Sequence, residues 1–359
     1  MIGEVLSQVF HDVQVYRDVC YEWEEIIAEY FDVPVREVVI NAVNKNKKGK
    51  DATLKNIIAK VKHKLSQTFP FLLAVRNKLR KSKRLSQNIR QPLSLCFLMW
   101  PHESRICDNA NCLPIFLDVW QKLGDIDYVA GRTKNMQIFY VTSRDVYNAI
   151  LNIQPSSRVK YIPLSVSDKY YSPDFTKYRN KTIDVIQIGR VNYVLHEYML
   201  RYIQNHQNIE IEYIYSDTGR SAGGYISTKR GHIGKILDRA EFINMLSCAK
   251  VSLVSSPGYE NSKDYAEGIH FVTPRFYESA ILGCALIGRY PENQEFTELN
   301  MPRYCPNITS YEQFCECLER ALAQTPEELY AQNHDFIINS LTSKRAEQIK
   351  CDLEELEHE

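Results

Sequence analysis

The sequence predicts an α/β protein made of two doubly wound domains that face each other across a cleft. Short apolar runs without polar alternation, separated by helix-like segments, are typical of buried parallel strands. This pattern starts again at Ile183–Gly189, after a stretch at 165–180 that is rich in Ser, Asp, Tyr and Pro. The length of 359 residues also suits two domains better than one.

The first predicted domain spans residues 1–165. One helix is predicted between its first two strands, and Ser143 is the expected cap of another helix. The predicted helix is Val15–Tyr30, and the predicted strands are Glu4–Phe10, Val38–Ala42, Leu93–Trp100, Cys112–Leu117, Gln137–Thr142 and Val159–Pro163.

The second predicted domain spans residues 166–335, and a C-terminal helical tail covers 336–359. Asp238 and Glu241 have the spacing of a capping box, which predicts a helix start there. The remaining predicted elements are strand Ile183–Gly189, helix Leu195–Asn205, strand Ile209–Ser216, strand Val251–Ser256, helix Arg275–Leu282, strand Cys284–Ile287 and helices Glu312–Ala323 and Pro326–Glu359.

Composition indicates a cytoplasmic protein. No apolar run approaches the roughly 20 residues of a membrane span, and Leu93–Trp100 is the longest obvious one. The first residues lack the basic and apolar regions of a signal peptide. The ten cysteines form no paired CxxC pattern, so we expect free thiols in a reducing compartment rather than a zinc site.

Charge is unevenly distributed although the formal net charge is zero. Residues 45–90 contain fifteen Lys or Arg and one acidic residue, Asp51. This basic segment is either a solvated helix packed on a sheet or a surface that lies on an anionic membrane. Because no RNA-recognition or zinc-finger motif accompanies it, nucleic acid is not an expected partner.

The segment 267–288 predicts an anion site. Thr273 suits an N-cap, Pro274 suits the first helical position and Gly283 ends the helix. The free N–H groups and the dipole of such a helix start favour phosphate. One turn further on, Glu278 could accept two hydrogen bonds from a vicinal diol such as a ribose. The alternative is an ordinary helix with a surface Arg275/Glu278 pair.

Glu278-x-x-x-x-Gly283 followed by a small-apolar strand resembles the donor-site helix of GT-B glycosyltransferases. Arg275-Phe-Tyr-Glu278 is most similar to the bacterial group 1 branch that includes the CgeB-like proteins. In many retaining members two glutamates flank seven residues here, and this chain has His270 at the first position. The resemblance implies a GT-B fold and a nucleotide-sugar donor that needs no further cofactor.

Strand ends select further donor-site candidates, since ligands of parallel α/β sheets lie beyond the carboxyl ends of the strands. Gly189 would let a diphosphate approach the backbone, and Arg190 and Arg275 would neutralise its charge. The resemblance places a Gly-Arg turn at the donor in this position, and Lys235 follows a turn that often lies near the nucleobase. The competing interpretation of Gly189 is a plain turn.

On the first domain the same rule selects His102 and Asp118, with Glu103 and His11-Asp12 as further candidates. His102 or Asp118 could deprotonate an acceptor hydroxyl if the reaction inverts, and could position the sugar if it retains. Each could instead be a loop cap. No Asp-x-Asp occurs at a predicted strand end, so we expect no metal.

These observations predict a metal-independent glycosyltransferase. It would move a sugar from a nucleotide-sugar donor to a hydroxyl of a glycan or lipid-linked acceptor, in bacterial surface polysaccharide synthesis, at the inner face of the membrane if residues 45–90 bind there. Two alternatives stay open: a catalytically silent, membrane-recruited nucleotide-sugar-binding protein, and a sugar-nucleotide epimerase of the same fold.

Overall fold

The structure is a computed structural model of the chain. It describes residues 2–8, 18–38, 92–99, 111–117, 119, 123–134, 136–174, 176, 180–217, 224–260 and 268–358. The whole of the basic segment 45–90 lies outside these residues, as do the candidates His102, Glu103, Asp118 and His11-Asp12. None of the helices in the described ranges is long and apolar enough to cross a membrane.

The first domain contains a six-stranded parallel sheet with the strand order β2-β1-β3-β4-β5-β6. Its strands are β1 (Ile2–Gln8), β2 (Val35–Val38), β3 (Leu93–Leu98), β4 (Cys112–Phe116), β5 (Phe139–Val141) and β6 (Val159–Tyr161). Its helices are α1 (Asp18–Phe31), α2 (Leu123–Thr133) and α3 (Arg144–Ile153). Five of the six predicted strands of this half are confirmed, and β3, β4 and β5 are buried nearly throughout, which explains their apolar runs. The predicted strand Val38–Ala42 shares only Val38 with β2, and residues 39–42 lie outside the described residues.

The second domain has a mixed six-stranded sheet with the order β10-β9-β8-β7-β11-β12. Its strands are β7 (Ile183–Gln187), β8 (Tyr213–Ser216), β9 (Tyr225–Ser227), β10 (Gly231–Gly234), β11 (Ala249–Ser255) and β12 (Ala285–Arg289). The strands β7, β8, β11 and β12 run parallel to one another, whereas β9 runs antiparallel to both of its neighbours, β8 and β10. The predicted fold of two Rossmann-like domains is confirmed.

The helices of the second domain surround this sheet and continue to the C-terminus. They are α4 (Tyr193–Asn205), α5 (Arg239–Ser247), α6 (Pro274–Ile281), α7 (Gln294–Glu298), α8 (Met301–Tyr304), α9 (Tyr311–Ala323), α10 (Pro326–Asn339) and α11 (Thr342–His358). The helix α2 and the hairpin β9–β10 were not predicted. Asp238 caps α5 as predicted, since its carboxylate accepts from the backbone N–H of Glu241 at 2.9 Å.

The predicted single helix Pro326–Glu359 is wrong, because it is divided into α10 and α11. Between them Leu341 pairs with Val166 of the segment that joins the domains. The hydroxyl of Thr342 donates to the carbonyl of Val166 at 3.1 Å. The same hydroxyl lies 2.9 Å from the hydroxyl of Ser165. These tertiary bonds replace the helical bonds that would have continued α10.

Helix α11 packs on the first domain, although it follows the second in sequence. The hydroxyl of Tyr140 donates to Asp352 at 3.0 Å, and Lys160 lies 3.1 Å from the same carboxylate. Buried apolar side chains from both domains, among them Trp23, Phe97 and Phe276, form one continuous core cluster. The two domains are therefore joined by the core and by the C-terminal helix as well as by the linker.

Candidate functional site

A cleft of about 770 Å³ lies between the two sheets. On the second domain it is bordered by the ends of β7 and β11, by the segment after β10 and by the start of α6. The ends of β7 and β11 are carboxyl ends of parallel strands, and the start of α6 is a helix N-terminus, where backbone N–H groups point outward. The cleft is thus placed where this architecture binds ligands.

Five of the eight predicted site residues border this cleft. They are Gly189, Arg190, Lys235, Thr273 and Arg275. Arg190 and Lys235 are exposed, and Arg275 is about a quarter exposed. The tertiary structure therefore brings three cationic side chains from separate segments to one wall, which suits a ligand with more than one negative charge.

The turn after β7 is fixed by a polar network beneath it. Gly189 has a φ of +87°, and its N–H donates to the hydroxyl of Ser216 at 3.0 Å. Asn192 caps α4 and also donates to the carbonyl of Tyr259 at 3.1 Å. The buried amide of Gln187 donates to the carbonyl of Asn192 at 3.3 Å. The turn that presents Gly189 and Arg190 is consequently tied to β8 and to the segment after β11.

Helix α6 starts at Pro274 as predicted, with Thr273 at the N-cap position. The expected side-chain cap bond is absent, since the Thr273 hydroxyl accepts from no N–H of the helix. The first-turn N–H groups are therefore left without a side-chain acceptor from Thr273 at the edge of the cleft. A phosphate oxygen is a suitable acceptor for such groups.

Two carboxylates hold the segment that leads into α6. Glu295 accepts the N–H of Val272 and that of Arg144, each at 2.8 Å, and Asp145 accepts the N–H of His270 at 2.9 Å. Burial raises the pKa of Glu295 to about 8. Because Arg144 and Asp145 begin α3 of the first domain, these bonds fix the start of α6 relative to that domain. Sequence reasoning missed both carboxylates.

Glu278 lies behind the cleft wall and is 1% exposed. One carboxylate oxygen is 2.6 Å from Nη1 of Arg239, an ion pair rather than an aligned hydrogen bond, and the other accepts from Arg275. Desolvation opposes ionisation of this carboxyl, but the charges of Arg239 and Arg275 outweigh it and lower its pKa. The predicted ribose contact of Glu278 stays a prediction, and in the structure its partners are two arginines.

His270 occupies the position where the resembled family often has a glutamate. Its Nδ1 lies 3.2 Å from the carbonyl of Pro257, and its ring meets that of Tyr259 edge-on. Because a carbonyl oxygen only accepts, Nδ1 carries the proton in this contact. The imidazole therefore holds the segment after β11 in place.

The wall contributed by the first domain is apolar over the described residues. It consists of Val19, Met99, Leu117 and Leu164. The predicted acceptor-side residues His102 and Asp118 lie outside the part of the chain that the structure describes. Within that part, no group of three His, Cys, Asp or Glu side chains is arranged to hold a metal ion.

A matched pair of glycine substitutions tests the turn after β7. Gly189 and Gly231 both have positive φ, so alanine at either is expected to cost about 1 kcal/mol of stability. A methyl group at 189 would lie 3.4 Å from Nε of Arg275, whereas at 231 it would meet nothing within 4 Å. We expect Gly189→Ala alone to weaken nucleoside-diphosphate binding severalfold in calorimetry. If the two variants bind the nucleoside diphosphate with equal affinity, Gly189 is not part of the binding site.

No protein-family model matches the chain, and no curated protein matches its sequence. Solved structures match its fold over nearly the whole length. The N-terminal domain of Candida albicans trehalose-6-phosphate phosphatase is 10% identical with a TM-score of 0.53, and the match covers 99% of this chain and 97% of that one.

Anabaena Alr3699/HepE has been solved with UDP and glucose and also with UDP-glucose. The first structure is 9% identical to this chain with a TM-score of 0.50, and the match covers 98% of this chain and 100% of the HepE chain. The second structure is 10% identical with the same TM-score, and the match covers 99% of this chain and 100% of the HepE chain. At such identities the likeness shows the fold, which is the GT-B arrangement of two Rossmann-like domains.

Proposed function

We propose that the protein is a glycosyltransferase that uses a nucleotide-sugar donor. The observation that carries the proposal is the meeting of Arg275, Arg190 and Lys235 with the N-terminus of α6 on one wall of the interdomain cleft. A diphosphate has the charge that suits this wall. The solved complexes of Alr3699/HepE with UDP and UDP-glucose, a protein of the same fold, support this choice of ligand.

In the proposed reaction the bond between the anomeric carbon and the donor diphosphate breaks, and a bond from that carbon to an acceptor hydroxyl oxygen forms. The nucleoside diphosphate leaves with the bonding electron pair. Arg275, Arg190 and Lys235 would offset the charge that develops on it, so the protein itself supplies electrostatic stabilisation of the leaving group. The acceptor proton goes to a base, for which His102 and Asp118 remain the candidates.

The acceptor belongs to the proposal as well. We infer a glycan or lipid-linked hydroxyl compound, used in bacterial surface polysaccharide synthesis, and a position of the protein at the inner membrane face through residues 45–90. The similarity of Arg275-Phe-Tyr-Glu278 to the CgeB-like branch supports a bacterial role. Liposome sedimentation that needs anionic lipid and weakens with salt would support the membrane contact, and binding to neutral vesicles alone would contradict it.

Donor binding is tested first by isothermal titration calorimetry with UDP, ADP and GDP. We expect the wild type to bind one of the three, and we expect Arg275→Ala to weaken that binding. Absence of binding by all three would contradict the donor site. Transfer is then tested by following slow hydrolysis of the sugar nucleotide that carries the preferred base.

A nucleotide-sugar-binding protein without transferase activity is the second candidate. The apolar wall of Val19, Met99, Leu117 and Leu164 favours it, because these described residues offer no general base on the acceptor side. Tight donor binding without hydrolysis, and without transfer to any offered acceptor, would establish this second function.

A further inference from the structure

Arg239 joins the two domains by a paired contact. It is the first residue of α5 in the second domain, and Glu22 lies on α1 of the first. Nε and Nη2 of Arg239 lie 3.1 and 3.0 Å from the two carboxylate oxygens of Glu22. The arginine side chain is 11% exposed and the glutamate 5%. A planar, two-point contact of this kind fixes orientation as well as distance.

Arg239 also contacts the candidate donor site. Its third nitrogen, Nη1, lies 2.6 Å from Glu278, whose other oxygen accepts from Arg275. The guanidinium groups of Arg239 and Arg275 both lie near the ring of Phe242, at 5.2 and 4.2 Å from its centroid. Glu22, Arg239, Glu278 and Arg275 thus form a chain of alternating charges, called here the ion chain.

The ion chain runs from the first domain to the cleft. Of its four members only Arg275 borders the cleft. Glu22 is also contacted by Lys169 at 3.0 Å and by the hydroxyl of Tyr170, both in the segment that joins the domains. Ionic contacts are stronger where water is excluded, so a change at Glu22 is transmitted to Arg275 more effectively than on an exposed surface.

We propose that Arg239 is a positioning residue through which Glu22 of the first domain holds Arg275 in its diphosphate-binding orientation. The inference rests on the proposed donor site. It adds that this site is complete only when the first domain is docked on the second. Because coupling between two events is reciprocal, donor binding then favours the docked arrangement of the domains.

Arg239→Lys separates positioning from charge. The substitution keeps the positive charge, and with it the long-range field at the cleft, but a lysine cannot contact both oxygens of Glu22 and also reach Glu278. The partner variant Glu22→Gln removes a negative charge. By Coulomb attraction alone it would tighten the binding of an anion, whereas loss of positioning weakens it.

Glu298→Gln is the matched control. Among the described residues, Glu298 forms a second interdomain ion pair with an arginine, Arg144, at 2.5 Å, and no hydrogen bond or ion pair joins it to the ion chain. Glu22→Gln and Glu298→Gln each remove the charge of a glutamate that pairs with an arginine of the other domain, whereas Arg239→Lys keeps the charge and loses the two-point contact. Only Arg239→Lys and Glu22→Gln alter the support of Arg275.

The experiment measures dissociation constants of the full chain for inorganic pyrophosphate, UDP and uridine by calorimetry, with thermal melting as a check of folding. We expect Arg239→Lys and Glu22→Gln to weaken pyrophosphate and UDP on the order of fivefold. Uridine, which has no phosphate, should bind each variant as it binds the wild type. Glu298→Gln should change none of the three constants.

The outcomes distinguish the inference from its premise. If the wild type binds pyrophosphate or UDP and both ion-chain variants bind them as Glu298→Gln does, or more tightly, the inference is overturned and the donor site stands. If the wild type binds neither pyrophosphate nor any of UDP, ADP and GDP, the donor site fails and the inference with it. If Arg239→Lys does not fold, Glu22→Gln decides by the same comparison.

Discussion

Arg275→Ala is expected to weaken UDP binding by roughly 10- to 150-fold. The guanidinium borders the cleft beside Gly189 and the start of α6, where a diphosphate would accept charge-assisted hydrogen bonds from it. Such bonds contribute about 1.5–3 kcal/mol each, and 1.4 kcal/mol corresponds to a factor of ten in affinity. Uridine binding should remain, because the loss concerns the phosphates only.

The control for this prediction is Arg303→Ala. Arg303 is about half exposed, lies 3.5 Å from Asp335 and does not border the cleft. Arg275→Lys should give an intermediate affinity, since lysine keeps the charge without the planar group. A dissociation constant for UDP that is the same in Arg275→Ala and Arg303→Ala would show that the ligand binds elsewhere.

Glu278→Gln is expected to lower the free energy of unfolding by about 3 kcal/mol at neutral pH. The substitution preserves the shape of the side chain and removes a charge that faces Arg239 and Arg275 in a site that is 1% exposed. Removing one partner of a buried ion pair is costly because the other charge stays buried. Urea denaturation of the two proteins measures the difference.

Lys344 and Glu347 provide the matched control. They have the same i,i+3 spacing as Arg275 and Glu278, but both side chains are about half exposed. We expect Glu347→Gln to cost about 0.2–0.5 kcal/mol. If both substitutions cost equally little, the buried position of Glu278 does not hold its arginines as the structure indicates.

The contribution of Glu278 should depend on pH in a defined direction. Its folded-state pKa is depressed below the ordinary value of 4.5 by Arg239 and Arg275, against the opposing effect of desolvation. A depressed carboxyl pKa stabilises the folded state above the unfolded-state pKa, and this stabilisation is lost as the pH falls through the folded-state pKa. The difference between wild type and Glu278→Gln should therefore be largest at neutral pH and shrink below pH 4.5.

The fold could be predicted because each buried parallel strand is a short run of apolar residues that is visible in the sequence. β3 and β4 are short, apolar and close in extent to the predicted strands. The end of α10 is not marked by any such local pattern. It is set by Ser340, whose carbonyl accepts from Val166, and by Thr342, whose N–H and hydroxyl donate to Val166, a residue about 175 positions earlier. A helical pattern that continues on both sides of this contact does not reveal it.

The candidate site divides in the same way. Gly189 and Thr273 could be found from the sequence because a strand end and a helix start mark them, and both border the cleft. Arg239 could not be found, since it lies at the start of a helix where an arginine is unremarkable. Its importance comes from Glu22 and Glu278, which are distant from it in sequence.

By itself, the sequence determined the two-domain α/β fold and the segments that could bind a nucleotide sugar, since hydrophobic period, glycine turns and caps act over a few neighbouring residues. Only the tertiary structure decided which charges meet. It placed Glu278 behind the cleft wall between Arg239 and Arg275, and it linked them to Glu22. The physical reason is that ion pairing depends on distance and burial in space, which local sequence patterns do not record.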